Sequence, residues 1–145
     1  MFHQLLVPLD GTDASLKALD VAIPLARALE AKIHVFHAIP SYPARAYLAA
    51  LIHSTKALYE EEAAAHAGTF LGEARDRATA AGIACSSSIT FAPHADEAIV
   101  ATAAEYRCDL IVMASFRRGG INRHLLGSDT YGVLIHSDIP VMVCS

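Results

Sequence analysis

The sequence predicts an α/β fold, a doubly wound parallel sheet of five strands. Three observations carry that expectation. Short strand-like runs bounded by turn-forming residues occur five times along the 145 residues. Stretches with apolar residues at helical spacing lie between them. The resulting order, β-α-β-α-β-α-β-α-β, continues without an internal repeat or a linker, so one domain over residues 1–145 is expected.

The elements follow in order. Phe2 to Leu9 is an apolar run ended by Asp10-Gly11-Thr12-Asp13, and reads as the first strand. A helix begins near Asp13-Ala14-Ser15, with Leu16, Leu19, Ile23 and Ala26 on one face. Pro24 sits inside that pattern and predicts a kink or a break. Ile33 to Ile39 is the second strand, closed by Pro40-Ser41-Tyr42-Pro43. Tyr47, Leu48, Leu51 and Ile52 fit either a short helix over a pocket mouth or an extension of the helix that follows. Ala57 to Ala81 is rich in Ala and Glu and reads as a long amphipathic helix, with Gly82 as its stop. Ile83 to Phe91 is the third strand, and Ser86-Ser87-Ser88 place it near a sheet edge. Pro93 precedes a helix from about Ala95 to Tyr106. Asp109 to Met113 is a continuous apolar run of the kind buried on both faces. A last helix opens at Ser128-Asp129-Thr130-Tyr131, and Pro140 to Cys144 is the fifth strand.

Composition narrows the function. A net charge of −4 provides no global basic field for nucleic acid. The cysteines Cys85, Cys108 and Cys144 form neither a CxxC motif nor an even disulfide framework, which suits a reducing cytoplasm. Leu5-Leu6-Val7 follows the first residues without a basic n-region, so no signal peptide is expected. No apolar run approaches the length of about 20 residues that spans a bilayer. The histidines His34, His37, His53, His66, His94, His124 and His136 lack zinc spacing. His34 and His37 are three apart on a strand and so point to opposite faces. No metal is expected.

The stretch Ala114-Ser115-Phe116-Arg117-Arg118-Gly119-Gly120, continuing to Gly127-Ser128, joins a strand's carboxyl end to a helix's amino end. Ligands of open α/β sheets bind there. Free N–H groups and the helix dipole favour anions, phosphate above all. Small residues let main chain approach a ligand, and Arg117 and Arg118 add positive charge. The plainer reading is a strand–loop–helix joint with Ser128 as N-cap. Asp10 has a plain reading too, as a cap for the helix after it.

Leu5-Leu6-Val7-Pro8-Leu9-Asp10-Gly11, Asp109 through Ser115, Leu125-Leu126-Gly127-Ser128 and Ile139-Pro140-Val141-Met142-Val143 together resemble the universal stress protein family over essentially the full chain. The resemblance implies a Rossmann-like sheet of order 3-2-1-4-5, cytoplasmic residence and homodimers; Pro140, Val141, Met142, Val143 and Cys144, a short apolar strand expected at a sheet edge, are the expected interface. For one branch it implies bound ATP, with Mg alongside it, held rather than turned over. By position, Asp10, with Pro8 and Leu9 beside it, would contact the adenosine portion, and Ala38 would offer backbone to adenine. The remaining implied site residues are Met113, Ala114, Arg117, Arg118, Gly120, Gly127, Ser128 and Asp129. Ala114 and Arg117 stand where the family's phosphate loop carries its first two glycines, while Gly127-Ser128 matches its close. Arg117 is the larger departure, because a side chain occupies a place where backbone alone would meet phosphate. Asp129 adds a negative charge at the helix start and disfavours phosphate beside it.

Ser115 and Ser128 have no assigned base and no GxSxG motif is present, so catalysis is not expected. The functional alternatives are a nucleotide-binding stress or signalling module with a degenerate phosphate loop and a dimeric scaffold acting through contacts with an unknown protein partner.

Overall fold

The structure is a computed structural model that describes residues 1–42, 55–115 and 127–145. Nine elements alternate along the described chain: β1 (Gln4–Pro8), α1 (Asp13–Leu29), β2 (Lys32–Pro40), α2 (Lys56–Ala80), β3 (Cys85–Ala92), α3 (Ala95–Glu105), β4 (Leu110–Ala114), α4 (Ser128–His136) and β5 (Val141–Cys144). The five strands form one sheet in the order β3-β2-β1-β4-β5, and the paired strands are parallel. The order expected from the resemblance is therefore the one found. The serine-rich β3 lies at one edge and β5 at the other.

Alternation along the strands divides the core into two layers. Leu5, Val7, Ile33, Val35, Leu110 and Val112 point to one face, where they meet Leu19, Ala22 and Ala26 of α1 and Ala67, Leu71, Ala74 and Ala78 of α2. Those α2 positions recur at helical spacing and form a narrow stripe, so the long helix buries little beyond small side chains. Leu6, Phe36, Ile111 and Met113 point to the other face, against Ala98, Ile99 and Ala103 of α3 and Val133 of α4. Asp109 pins the amino ends of the two central strands together. Its carboxylate accepts from the His3 N–H at 2.8 Å and the Gln4 N–H at 3.1 Å.

Two local expectations are corrected. Helix α1 runs through Pro24 without a break. Pro24 and Asp20 are both exposed, so water can serve the Asp20 carbonyl that lacks a proline N–H. The N-cap of α4 is Gly127, and Ser128 is already helical; no side chain caps this terminus. Gly82 ends α2 as expected, with φ of 81° just past the cap Ala81. The readings for Tyr47, Leu48, Leu51 and Ile52, and for Arg117, Arg118, Gly120, His53 and His124, fall outside the described residues.

Candidate functional site

The direction in which successive strands are added to the sheet reverses between β1 and β4. From β1 the sheet proceeds to β2 and β3, and from β4 to β5. Leu5 pairs with Leu110 and Leu6 with Ile111, so the two strands run side by side toward their carboxyl ends. Pro8, Leu9 and Asp10 leave β1 on the same side of the sheet as Met113, Ala114 and Ser115 leave β4. This is the crevice in which open α/β sheets hold ligands. Strand adjacency therefore puts Asp10 and Ser115 at the same end of neighbouring strands.

Asp10 serves the helix after it without being its cap. Thr12 is the N-cap of α1, accepting from the Ser15 N–H at 3.3 Å. The Asp10 Oδ1 atom accepts from the Thr12 N–H at 2.9 Å and from the Thr12 hydroxyl at 2.5 Å. Its Oδ2 atom has no hydrogen-bond partner among the described residues, and the residue is exposed. One oxygen thus fixes the side chain, and the other is left for a donor from outside. Gly11 follows with φ of +84°, and a Cβ built there would lie 3.1 Å from the Phe70 ring. Both backbone and space require glycine at that turn.

β2 supplies the adjoining wall. The Leu9 N–H donates to the Phe36 carbonyl at 2.7 Å. The Leu9 carbonyl accepts from His37 Nδ1 at 2.7 Å, and the imidazole meets Phe70 edge-on with ring centroids 5.0 Å apart. Burial pushes the His37 pKa below its ordinary value, while the Leu9 carbonyl and the Asp10 carboxylate oppose that shift. Ala38, half-buried, comes next along the same strand. Leu9 and Met113 are buried in the two core layers.

On the β4 side, the Thr130 hydroxyl donates to the Ala114 carbonyl at 3.3 Å and ties the first turn of α4 to the strand end. The Ser115 N–H donates to the Cys144 carbonyl at 3.0 Å. The Ser115 Oγ atom is buried with no hydrogen-bond partner among the described residues. An orphaned hydroxyl of this kind is uncommon and calls for a partner. Gly127 and Asp129 are half-buried and Ser128 is exposed at the uncapped start of α4.

The structure therefore brings together Pro8, Leu9, Asp10, Ala38, Met113, Ala114, Gly127, Ser128 and Asp129 at one end of the sheet. The unpaired Asp10 Oδ2, the orphaned Ser115 Oγ and the uncapped α4 terminus fit a ligand with both hydroxyl donors and anionic oxygens. His37 and Phe70 were not singled out for this site by sequence reasoning. The available signal was the position of His37 directly before Ala38, together with the need of any strand-end turn for a partner on its free carbonyl. No group of three or more His, Cys, Asp or Glu side chains that could hold a metal ion occurs among the described residues. No helix among them is long and apolar enough to cross a membrane.

Known proteins share this fold. The chain is 28% identical over 147 residues to universal stress protein YxiE of Bacillus subtilis, covering 99% of each chain. Its fold matches that of universal stress protein UspA from Lactobacillus plantarum with a TM-score of 0.83, 21% identity, and coverage of 99% and 98% of the two chains. A universal stress protein solved in complex with cAMP superposes with a TM-score of 0.73 at 28% identity, covering 99% of this chain and 97% of that one. The sequence pattern of the universal stress protein family matches residues 1–145, and the chain belongs to that family.

Proposed function

We propose that this chain is a nucleotide-binding stress or signalling module, holding an adenine nucleotide, ATP with its Mg, at the carboxyl ends of β1 and β4 without turning it over. The observation that carries the reading is Asp10. One carboxylate oxygen is committed to the α1 cap, the other has no partner among the described residues, and both stand at the switch point of the sheet. A carboxylate fixed in that way is suited to accept from ribose hydroxyls. Across the crevice, the buried Ser115 hydroxyl and the amino end of α4, which no side chain caps, offer donors to phosphate. The cAMP complex of a 28%-identical relative supports an adenine nucleotide as the ligand class.

Calorimetry with ATP tests the reading. Wild type is expected to bind, and Asp10→Ala to bind at least tenfold more weakly, a loss of about 1.4 kcal/mol or more. Arg117→Gly is expected to bind about five- to thirtyfold more tightly, the equivalent of about 1–2 kcal/mol, because it returns a backbone-only position to the phosphate loop. Weaker binding by Arg117→Gly would make the arginine a phosphate ligand instead of an obstacle. Absence of heat in all three proteins would overturn the nucleotide reading.

The scaffold reading has an observation of its own. β5 pairs only with β4 among the described residues, and Met142 on it is 38% exposed. Beside it, Met1, Phe2, Leu25, Leu29, Leu110, Pro140, Val141 and Met142 line an apolar groove of about 410 Å³. An unpaired edge of this kind is a template for a second strand. Pairing with its copy about a two-fold axis would cover Pro140, Val141, Met142, Val143 and Cys144. Light scattering at micromolar concentration should give twice the chain mass for wild type and the chain mass for Met142→Asp. A monomeric wild type would contradict this assembly.

A further inference from the structure

The segment that presents Asp10 is held from an unexpected side. Leu9, the residue before it, has both main-chain polar groups bound to β2: its N–H donates to the Phe36 carbonyl at 2.7 Å, and its carbonyl accepts from His37 Nδ1 at 2.7 Å. The first bond continues the ladder between β1 and β2. The second has no counterpart in a ladder, since a side chain supplies it. A carbonyl can only accept, so the His37 proton on that side is at Nδ1. Burial lowers the pKa of the ring, and the Nδ1–H donates to Leu9 whether or not Nε2 is protonated.

The imidazole is itself locked. Phe70 of α2 packs edge-on against it, with an angle of 78° between the rings, and also meets His66 edge-on with centroids 5.5 Å apart. Phe70 also lies against Gly11, close enough that a Cβ there would be 3.1 Å away. One aromatic ring thus braces both the residue after Asp10 and the histidine that holds the residue before it. Thr12 completes the constraint by donating its N–H to Asp10 Oδ1 at 2.9 Å.

We propose that His37 is a positioning residue of the nucleotide site, whose Nδ1–H holds the Leu9 carbonyl and thereby aims Asp10 into the crevice. This rests on the nucleotide reading for its consequence, and on the ligand-free protein for its geometry. Asparagine places a side-chain N–H near the position of imidazole Nδ1, whereas leucine fills the space with no donor. The two substitutions therefore separate the hydrogen bond from packing.

Two readouts test the proposal. Hydrogen exchange in the ligand-free protein reports on the Thr12 amide, which donates to Asp10. His37→Leu should speed its exchange by tenfold or more, and His37→Asn should leave it within threefold of wild type. Calorimetry with ATP should show a tenfold or greater loss of affinity for His37→Leu, largely restored in His37→Asn. An unchanged Thr12 amide in His37→Leu overturns the proposal even if no nucleotide binds. Equal loss of affinity in both variants overturns it as well, because the ring would then act through packing alone. No binding by wild type, with the Thr12 pattern as expected, would sink the nucleotide reading and leave the positioning of Asp10 intact.

Discussion

Replacing Gly132 with valine is expected to destabilise the protein by about 3 kcal/mol, at the upper end of the usual range for overpacking. For a chain of this size that lowers Tm by about 6–12 °C. Gly132 lies in the middle of α4, where glycine is a poor helix former. The reason it is there is Asp96, on the first turn of α3. A Cβ built on Gly132 would stand 2.7 Å from the Asp96 Cγ and 2.8 Å from its Cβ. A carboxylate oxygen can swing aside, but the Asp96 Cβ is fixed to the α3 backbone, so the helices must part. Parting them disturbs the layer of Ala98, Ile99, Ala103 and Val133 beneath. Alanine gains about 1 kcal/mol of helix propensity and should be milder than valine. The His136 ring, which donates from Nδ1 to the Gly132 carbonyl at 2.8 Å and lies 3.6 Å from Asp96 Oδ2, would also lose its place. Denaturant unfolding of Gly132→Val, Asp96→Gly and the double variant checks the cause. The double variant should recover much of the stability lost by valine alone. Simple additivity of the two losses would show that Asp96 is not the obstacle.

Acid should weaken the fold through His34. This ring is fully buried, with Nδ1 2.7 Å from the Ser86 hydroxyl, Nε2 2.8 Å from the Ser88 hydroxyl, and Tyr106 stacked at 3.8 Å. Burial lowers its pKa from 6.5 to about 4. In the unfolded chain the ring takes a proton near pH 6.5, and in the folded chain only near pH 4. Between those values the unfolded state holds more protons, so stability falls as pH drops through that window and this contribution levels off below it. The full difference corresponds to about 3 kcal/mol. His34→Gln keeps a donor and an acceptor for the two serines but does not titrate. Urea unfolding at pH 7 and pH 4 should show wild type losing about 3 kcal/mol more than His34→Gln. Parallel losses in the two proteins would show that the folded ring titrates as it does in the unfolded chain.

Both predictions concern residues whose role the sequence does not display. The strands were legible because apolar runs such as Leu110 to Met113 admit few other readings. The helices were legible from periodicity, apart from their ends. Pro24 shows one limit, since a proline on an exposed face leaves a carbonyl that water can satisfy, and the helix continues. The serines of β3 show another. They announced an edge strand correctly, but their work in binding both nitrogens of His34 depends on a register, His34 beside Ser86, that only strand pairing sets. Asp10 was found through resemblance and strand position. Its division of labour between the Thr12 cap and an unpaired Oδ2 needed atoms. His37 is the clearest omission. Alternation showed that it and His34 face opposite ways, which argued against a shared metal, but not that His37 reaches back across to Leu9. The contact joins residues 28 apart through side chain and main chain, and no local pattern encodes that.

The central claim is that an adenine nucleotide sits at the carboxyl ends of β1 and β4, and an amide-resolved NMR titration with ATP tests it most directly. The account predicts shift changes concentrated at residues 8–12, 36–38, 113–115 and 127–130, with the pattern abolished or much weakened in Asp10→Ala. Changes centred on the groove beside β5, or an unaltered spectrum at millimolar nucleotide, would contradict it.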